Sequence, residues 1–538
     1  MEPTPATVAV IGLGSFGIAT VKNLSEEGFR VTGFESKPYI GGLWHFTEGS
    51  ETSVLQCRSS PSFRPPRTSG ARELTLHLSH DYQYAPDFPH ADEVMRYLDD
   101  YVDHFDLRPM FRLATPVRYV TRDPESSKWA VTLESSGEVL LFDKVVVATG
   151  INNQPTFPQI KGMEKFQGEI LHSRDYKGPE RFEGKRVVVV GLGNSGGDTS
   201  TSLVGYAKKV YLSHRVGSYI IPRYVDGKPF DHALTLRKER ARSTLMKTFP
   251  WLAEIVFNRY ARGIQDRSFN VRPEWKLQPA PSLKFSAPVV ADSLIEYLES
   301  GDLTSVSGIK EFVGPDEVLI DTGEVINVDA VIWCTGYLTD FSFLDPRFDP
   351  TAASPARWNE TPGSRGRPLL RLYHNIFPLE EHDSLAFVGY VAFPGPAFQT
   401  QDLASMALAQ VWKGNSALPP REEMERALDA HEEWVCGLAG RGRTHPAWVS
   451  WPEWMDWVNE TAGTGLRRNL GWGTEGWRFW REDRMLYRAV VDGIYSPHVF
   501  RLFETGKRKV WDGAREEIAR VNEDREGSDR AEKGGEDE

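Results

Sequence analysis

The apolar positions of this chain fall into two patterns. Short unbroken runs rich in valine and isoleucine suit strands covered on both faces, and stretches with an apolar residue every third or fourth position suit helices. Val8 to Ile11 is the first unbroken run. A helix-compatible segment follows from Ile18 to Glu27, and a second run, Arg30 to Phe34, ends on Glu35. The same order returns at Arg186, where RVVVV leads through a small-residue segment to the run Lys209 to Leu212. Two more runs echo each other: LFDKVVVATG (141–150) and NVDAVIWCTG (327–336) each end a strand-like stretch on Thr-Gly. Strands alternating with helices in this way predict an α/β fold with parallel sheets. Repetition of the whole unit predicts two such sheets, the second inserted into the first. The chain would rejoin the first after Gly336, with Leu385 to Gly389 as the returning strand.

A glycine-rich turn stands between strand and helix in each unit. Gly12, Gly14 and Gly17, with their strand, helix and terminal acid, form the fingerprint of a Rossmann-type dinucleotide-binding unit. Gly12 permits the tight turn, Gly14 lets the backbone approach a diphosphate, and Gly17 lets the helix pack on the strand. The diphosphate would rest on the helix N-terminus, where free N–H groups and the dipole favour an anion. Glu35 is placed to accept from a ribose hydroxyl. The second turn carries Gly191, Gly193 and Gly196, with Asn194 and Ser195 inside it. Its following strand ends on Ser213-His214-Arg215, not on an acid, and Arg223 comes shortly after. A cation at that place suits the 2′-phosphate of NADPH. The plainer alternative is a solvated charge at a strand end.

Residues 225–288 interrupt the second unit and are basic and aromatic. Leu245, Phe249, Leu252 and Val256 share one helical face, although Pro250 argues for a break. A subdomain core or a lid over a substrate tunnel accounts for that face, because amphipathic helices mostly face a core. The rival is an apolar face with basic flanks lying on a membrane surface. Further on, eight of the 16 tryptophans lie between Trp434 and Trp480, and Trp448, Trp451, Trp454 and Trp457 recur every three residues. Pro452 suits a helix start there. A packed aromatic core is the first expectation, a ligand-facing wall the second.

Composition narrows the class. The 538 residues suffice for two or three domains. A formal net charge of -12 gives no reason to expect nucleic acid. Cys57, Cys334 and Cys436 form no CxxC pair, which argues against a disulfide scaffold, a zinc site or a dithiol redox centre. The first strand begins too early for a signal peptide, and no apolar run is long enough to cross a bilayer. A cytoplasmic location is expected.

The two units flank FQGEILHSRDY (166–176), whose Phe166, Gly168, His172 and Tyr176 follow no simple helix or strand period. Two dinucleotide fingerprints around an FxGxxxHxxxY segment resemble the flavin-containing monooxygenase family, in the form of a specialised microbial or fungal member. GGLW (41–44), GLGNSGGD (191–198), DAVIWCTGY (329–337) and the segment 495–516 resemble family elements too. The resemblance implies a fold like that of glutathione and thioredoxin reductases, with an NADPH domain inserted into an FAD domain. The first FAD part would span 1–175 and the NADPH domain 176–330, including the insertion 225–288. The second FAD part would span 331–417, a Trp-rich helical region 418–520, and a disordered charged tail 521–538. By resemblance FAD contacts Gly12, Gly14, Gly17, Glu35, Gly42, Leu43 and Trp44. NADPH contacts Gly191, Gly193, Asn194, Ser195, Ser213 and Arg215.

The chemistry implied is monooxygenation: NADPH reduces FAD, O2 gives a flavin C4a-hydroperoxide, and one oxygen atom passes to an amine nitrogen or a sulfur of a small organic substrate. The 166–176 segment would be a hinge and hydrogen-bonding element near NADP+, with His172 no general base. Baeyer–Villiger monooxygenases carry Trp at the last signature position, so Tyr176 tilts the reading away from a ketone substrate. One departure stands out. The family carries an Asn in the loop after the GGxW turn, and here no Asn occurs between Asn23 and Asn152. Gln56, or Ser59 or Ser60, would take its place, Cys57 being a poor donor. Failure of that replacement would leave an NADPH oxidase or a flavin-binding protein. No metal is implied. The divergent loop and the Trp-rich tail suggest a bulky aromatic compound of secondary metabolism.

Overall fold

A computed structural model describes residues 5–47, 91–226, 228–230, 234–392 and 397–522. Gln56, Cys57, Ser59, Ser60 and residues 523–538 of the charged tail lie outside the described residues.

In chain order the two main sheets use β1 (Thr7–Ile11), β2 (Arg30–Phe34), β3 (Phe111–Arg112), β4 (Lys144–Val147), β5 (Glu169–His172), β6 (Arg186–Val190), β7 (Lys209–Ser213), β8 (Leu303–Val306), β9 (Ala330–Trp333) and β10 (Leu385–Phe387). The first sheet runs β10-β4-β1-β2-β3 and the second β8-β7-β6-β9-β5. Neighbours in both pair in parallel, so both faces of each sheet need cover. That requirement explains the unbroken runs: Val8, Ala9, Val10, Val187, Val188 and Val189 have no exposed surface. The chain rejoins the first sheet at β10, which pairs with β4. Gln154–Pro155 and Tyr337–Leu338 form a short antiparallel ladder next to the two Thr-Gly ends.

The helices that matter for the site are α1 (Ser15–Glu26), α2 (Asn194–Ser202), α3 (Leu236–Thr248), α4 (Pro250–Ser268), α5 (Ala397–Lys413), α6 (Arg421–Ala439) and α7 (Trp451–Ala462). A buried ionic knot fastens α1 to α5 and to the C-terminal segment. Asn23 donates to Asp402 at 3.0 Å and to Ser405 at 2.7 Å, and Arg501 pairs with Asp402 at 2.8 Å. Arg501 and Asp402 are both buried, so the pair is shielded from water.

The insertion corrects one expectation. Pro250 does start a new helix, and Phe249 at the joint leaves the helical region (φ -135°, ψ 68°). The break resets the helical phase, so Leu245, Phe249, Leu252 and Val256 do not make a buried face. The buried residues of α4 are Ala253, Ala261, Ile264 and Gln265. Phe249, Trp251, Ile255, Val256 and Tyr260 are exposed. Among the described residues no helix is long and apolar enough to cross a membrane. The tryptophan series packs as core: Trp448, Trp451 and Trp454 are buried, and Trp457 stacks on His374 at 4.0 Å. The N–H groups of the three buried ones are satisfied, Trp448 by Lys284 O, Trp451 by Glu239 and Trp454 by His374 O. Trp472 and Trp477, by contrast, are exposed.

Candidate active site

Both glycine-rich turns lie at the C-terminal edge of a parallel sheet, where open α/β folds bind ligands. They are near copies of each other. Gly12 has φ +98° and Gly191 φ +119°, backbone that an L side chain rarely adopts. A Cβ on Gly17 would lie 1.9 Å from Gly12 O, and one on Gly196 would lie 1.8 Å from Gly191 O. The helices α1 and α2 are thus pressed on their turns as closely as backbone allows. Neither helix has a side-chain N-cap; the N-cap residues are Gly14 and Gly193. Their first amide groups therefore remain available to an anion. Gly193, Asn194 and Ser195 are exposed at the mouth of the second turn.

Around the first turn, Glu35 is buried at the end of β2. One carboxylate oxygen accepts from Leu13 N at 2.8 Å, the other from Ser36 Oγ and Lys37 N at 3.1 Å. The acid is held against the turn it serves. Gly41 donates to Leu13 O at 2.9 Å, which seats the Gly42–Trp44 turn on the fingerprint turn. A Cβ on Gly14 would meet only Gly42 Cα, at 3.9 Å. Leu43 and Trp44 are half-buried, and the Trp44 ring lies 5.8 Å from that of Phe398. These residues fit a dinucleotide held by Gly12, Gly14, Gly17 and Glu35.

Around the second turn, Asn194 Oδ1 accepts from Val290 N at 3.1 Å. Ser213 is fully buried and donates to Ser307 O at 3.0 Å, so its hydroxyl hydrogen is already used. Arg215 is exposed and bonded to Asp321 at 2.7 Å and to Ile309 O at 2.6 Å. Burial pushes Asp198 up to about 6, with Arg223 pulling the other way. The turn geometry fits a second dinucleotide.

The signature residues belong to the second sheet's core and to its seam with the first. Phe166 packs on Phe312 with ring centres 5.2 Å apart. A Cβ on Gly168 would lie 2.5 Å from Asp329 O. Tyr176 is buried, stacks with Phe182 at 5.7 Å, and lies 2.8 Å from Ser202 Oγ. Ser202 spends its own hydrogen on Thr199 O, so Tyr176 donates. His172 ends β5 without exposed surface. Its Nδ1 accepts from Arg174 N at 3.1 Å, which leaves the proton on Nε2, a buried donor with no hydrogen-bond partner among the described residues. Burial pushes His172 down to about 4. The ring is therefore neutral near pH 7.

Sequence reading missed two groups. Tyr390 Oη lies 2.9 Å from Thr149 Oγ1 in the first Thr-Gly end, and burial raises its pKa. Arg443 reaches Thr335 O at 3.5 Å in the second. Neither sits in a motif, so only the fold brings them to the turns.

Two cap-free turns on two parallel sheets define a protein that holds two dinucleotides. The chain belongs to the flavin-binding monooxygenase-like family, whose description matches residues 6–526. Members of that family are NADPH-dependent flavoprotein monooxygenases, and their cofactors are FAD and NADPH. The chain is 40% identical over 529 residues to monooxygenase aurF of Gibberella zeae, covering 97% of this chain and 98% of that one. It is 30% identical to dimethylaniline monooxygenase (N-oxide-forming) 4 of Homo sapiens, covering 95% and 86%. The fold is shared with S-allyl-L-cysteine S-oxygenase from Allium sativum, at TM-score 0.60 and 22% identity, covering 97% and 100%. It is shared equally with cyclohexanone monooxygenase, at TM-score 0.59 and 18% identity, covering 86% and 99%.

Proposed function

We propose that the chain transfers one atom of O2 to an amine nitrogen or a sulfur of a small organic substrate, using FAD at the first turn and NADPH at the second. The balance is NADPH, a proton, O2 and substrate in, and NADP+, water and oxygenated substrate out. The observation that carries the proposal is the pair of uncapped turns, each closed by a glycine on which no side chain fits.

Bound FAD supplies the chemistry that activates O2, and bound NADPH supplies the hydride. The chain's own residues bind and orient. Gly12, Gly14, Gly17 and the α1 amides hold one diphosphate, with Glu35 on a ribose hydroxyl and Gly42, Leu43 and Trp44 along the flavin side. Gly191, Gly193, Asn194, Ser195 and the α2 amides hold the other; Ser213 only accepts. Arg215 brings positive charge to the strand end. His172 offers a neutral N–H beside Tyr337 and Phe157, and Phe166, Gly168 and Tyr176 fix the second sheet that carries it. Gln56 and Ser59 keep the role proposed for them in place of the family Asn. A bulky substrate of secondary metabolism stays the proposal for the divergent loop.

The test is a product panel. Tertiary amines and thioethers should gain one oxygen, with NADPH consumed in step, and ketones should not. Lactones or esters from the ketones, with unchanged amines and thioethers, would mean a Baeyer–Villiger enzyme instead.

A further inference from the structure

Two loops lie against each other close to the C-terminal edge of the second sheet. Residues 361–367 carry Arg365 and Arg367, and residues 441–445 carry Arg443 and His445. The loops pack backbone to backbone. A Cβ on Gly363 would lie 2.1 Å from Gly442 O, and Thr444 N donates to Gly363 O at 3.2 Å. Arg367 is buried and gives its N–H groups to Ser364 O at 3.2 Å and Thr444 O at 2.9 Å. The Arg443 guanidinium would lie 3.1 Å from a Cβ on Gly336, at the end of the strand whose Cys334 carbonyl closes over the Gly191 turn. Arg365 stands exposed in left-handed backbone at φ 52°.

The cluster is one-sided in charge. Among the described residues no carboxylate is bonded to or paired with Arg365, Arg367 or Arg443. Desolvation and mutual repulsion lower all three guanidinium groups: Arg215 acts on Arg365, Arg443 and Arg365 act on Arg367, and Arg365 acts on Arg443. They stay charged all the same, because a guanidinium keeps its proton in proteins. Like charges gathered without a counter-ion cost free energy until an anion joins them. The chain as a whole carries -12, so its general field repels a polyphosphate, and local cations must supply the attraction. Arg215, the strand-end cation, is already bonded to Asp321.

We infer that Arg365, backed by Arg367 and Arg443, is the main recognition site for the 2′-phosphate of NADPH, with Arg215 as the lesser partner. This rests on the proposal that NADPH occupies the second turn. An exposed, forked guanidinium without a carboxylate partner suits bidentate contact with a phosphate dianion. The loops that carry it come from the chain after its second sheet, so the nucleotide would be gripped from two separate segments.

The test uses the full FAD-loaded chain and calorimetric binding of adenosine 2′,5′-bisphosphate and of 5′-AMP, which differ only by the 2′-phosphate. Wild type should favour the bisphosphate. Arg365→Gln should reduce that preference ~10–100-fold, the range for charged hydrogen bonds, and leave 5′-AMP binding, FAD content and melting temperature unchanged. Arg365→Lys should restore part of it, and Arg215→Gln should cost less than Arg365→Gln. An unchanged preference in Arg365→Gln would overturn the inference while leaving the NADPH proposal standing. Wild type that treats both nucleotides alike would sink both.

Discussion

Adding a methyl group at Gly14 or at Gly17 separates binding from folding. At Gly17 the new Cβ would sit 1.9 Å from Gly12 O. Ordinary contact begins near 3.4 Å, so α1 must withdraw by about 1.5 Å, an overpacking that typically costs ~1–3 kcal/mol. The same shift stretches an amide–phosphate bond of about 2.9 Å to about 4.4 Å, beyond hydrogen-bonding range. Losing two such charged bonds, at ~1.5–3 kcal/mol each, weakens FAD binding by roughly 10²–10⁴-fold. Gly14 differs. Its backbone (φ -68°, ψ -178°) suits any residue, and its Cβ would meet only Gly42 Cα at 3.9 Å. Gly14→Ala should therefore change the stability of the FAD-free protein by less than ~1 kcal/mol. It should still weaken FAD binding ~100-fold or more, because the methyl fills the space a diphosphate needs. Flavin titration of the FAD-free protein by fluorescence quenching gives the affinities, and thermal melts of the same samples give the stabilities. Gly14→Ala that takes up FAD like wild type would refute the assignment of the turn. Gly17→Ala that melts like wild type would refute the close packing.

Three other outcomes follow from the geometry. Tyr176→Phe removes a buried donor to Ser202 and should cost ~1 kcal/mol in denaturant melts without changing which atom is oxygenated. His172 has a folded pKa of about 4 against 6.5 for the free side chain, so the unfolded chain binds its proton first. Stability should be lost as pH falls from 6.5 towards 4, by up to about 3 kcal/mol from this group; His172→Gln should flatten that part of the melting profile, and an unchanged slope would contradict the assignment. Arg501→Met leaves Asp402 buried without its 2.8 Å partner and should cost ~3–5 kcal/mol, while adding Asp402→Leu should recover much of it in a double-mutant cycle.

The parts legible in sequence are those where one local rule dominates. Arg30–Phe34 is a strand as expected, because an apolar run bounded by Gly28 and Glu35 has little other use. The helix after Gly14 starts at Ser15, three residues before the expected Ile18, since a glycine N-cap leaves no polar side-chain signal. Pro250 begins a helix, but the phase of the preceding helix does not carry across it, so the apolar face expected from Leu245 to Val256 was drawn through a break. The two glycine-rich turns were readable because backbone geometry restricts residue identity there: only glycine survives at Gly17 or Gly196. The Arg365 and Arg443 loops carry no motif, and the Gly363–Gly442 packing that joins them is long-range. Likewise, Arg215 showed a charge at a strand end, whereas its bond to Asp321 depends on a distant hairpin.

Oxygen-atom transfer is the central claim, and isotope labelling reads it most directly. Purified FAD-loaded protein, NADPH and a thioether or tertiary amine would be mixed under 18O2, with product mass, NADPH consumption and peroxide followed together. The account predicts one 18O per product, one NADPH consumed for each, and little peroxide. NADPH consumed with matching peroxide and no labelled product from any amine or thioether would contradict it, and would make the chain an oxidase.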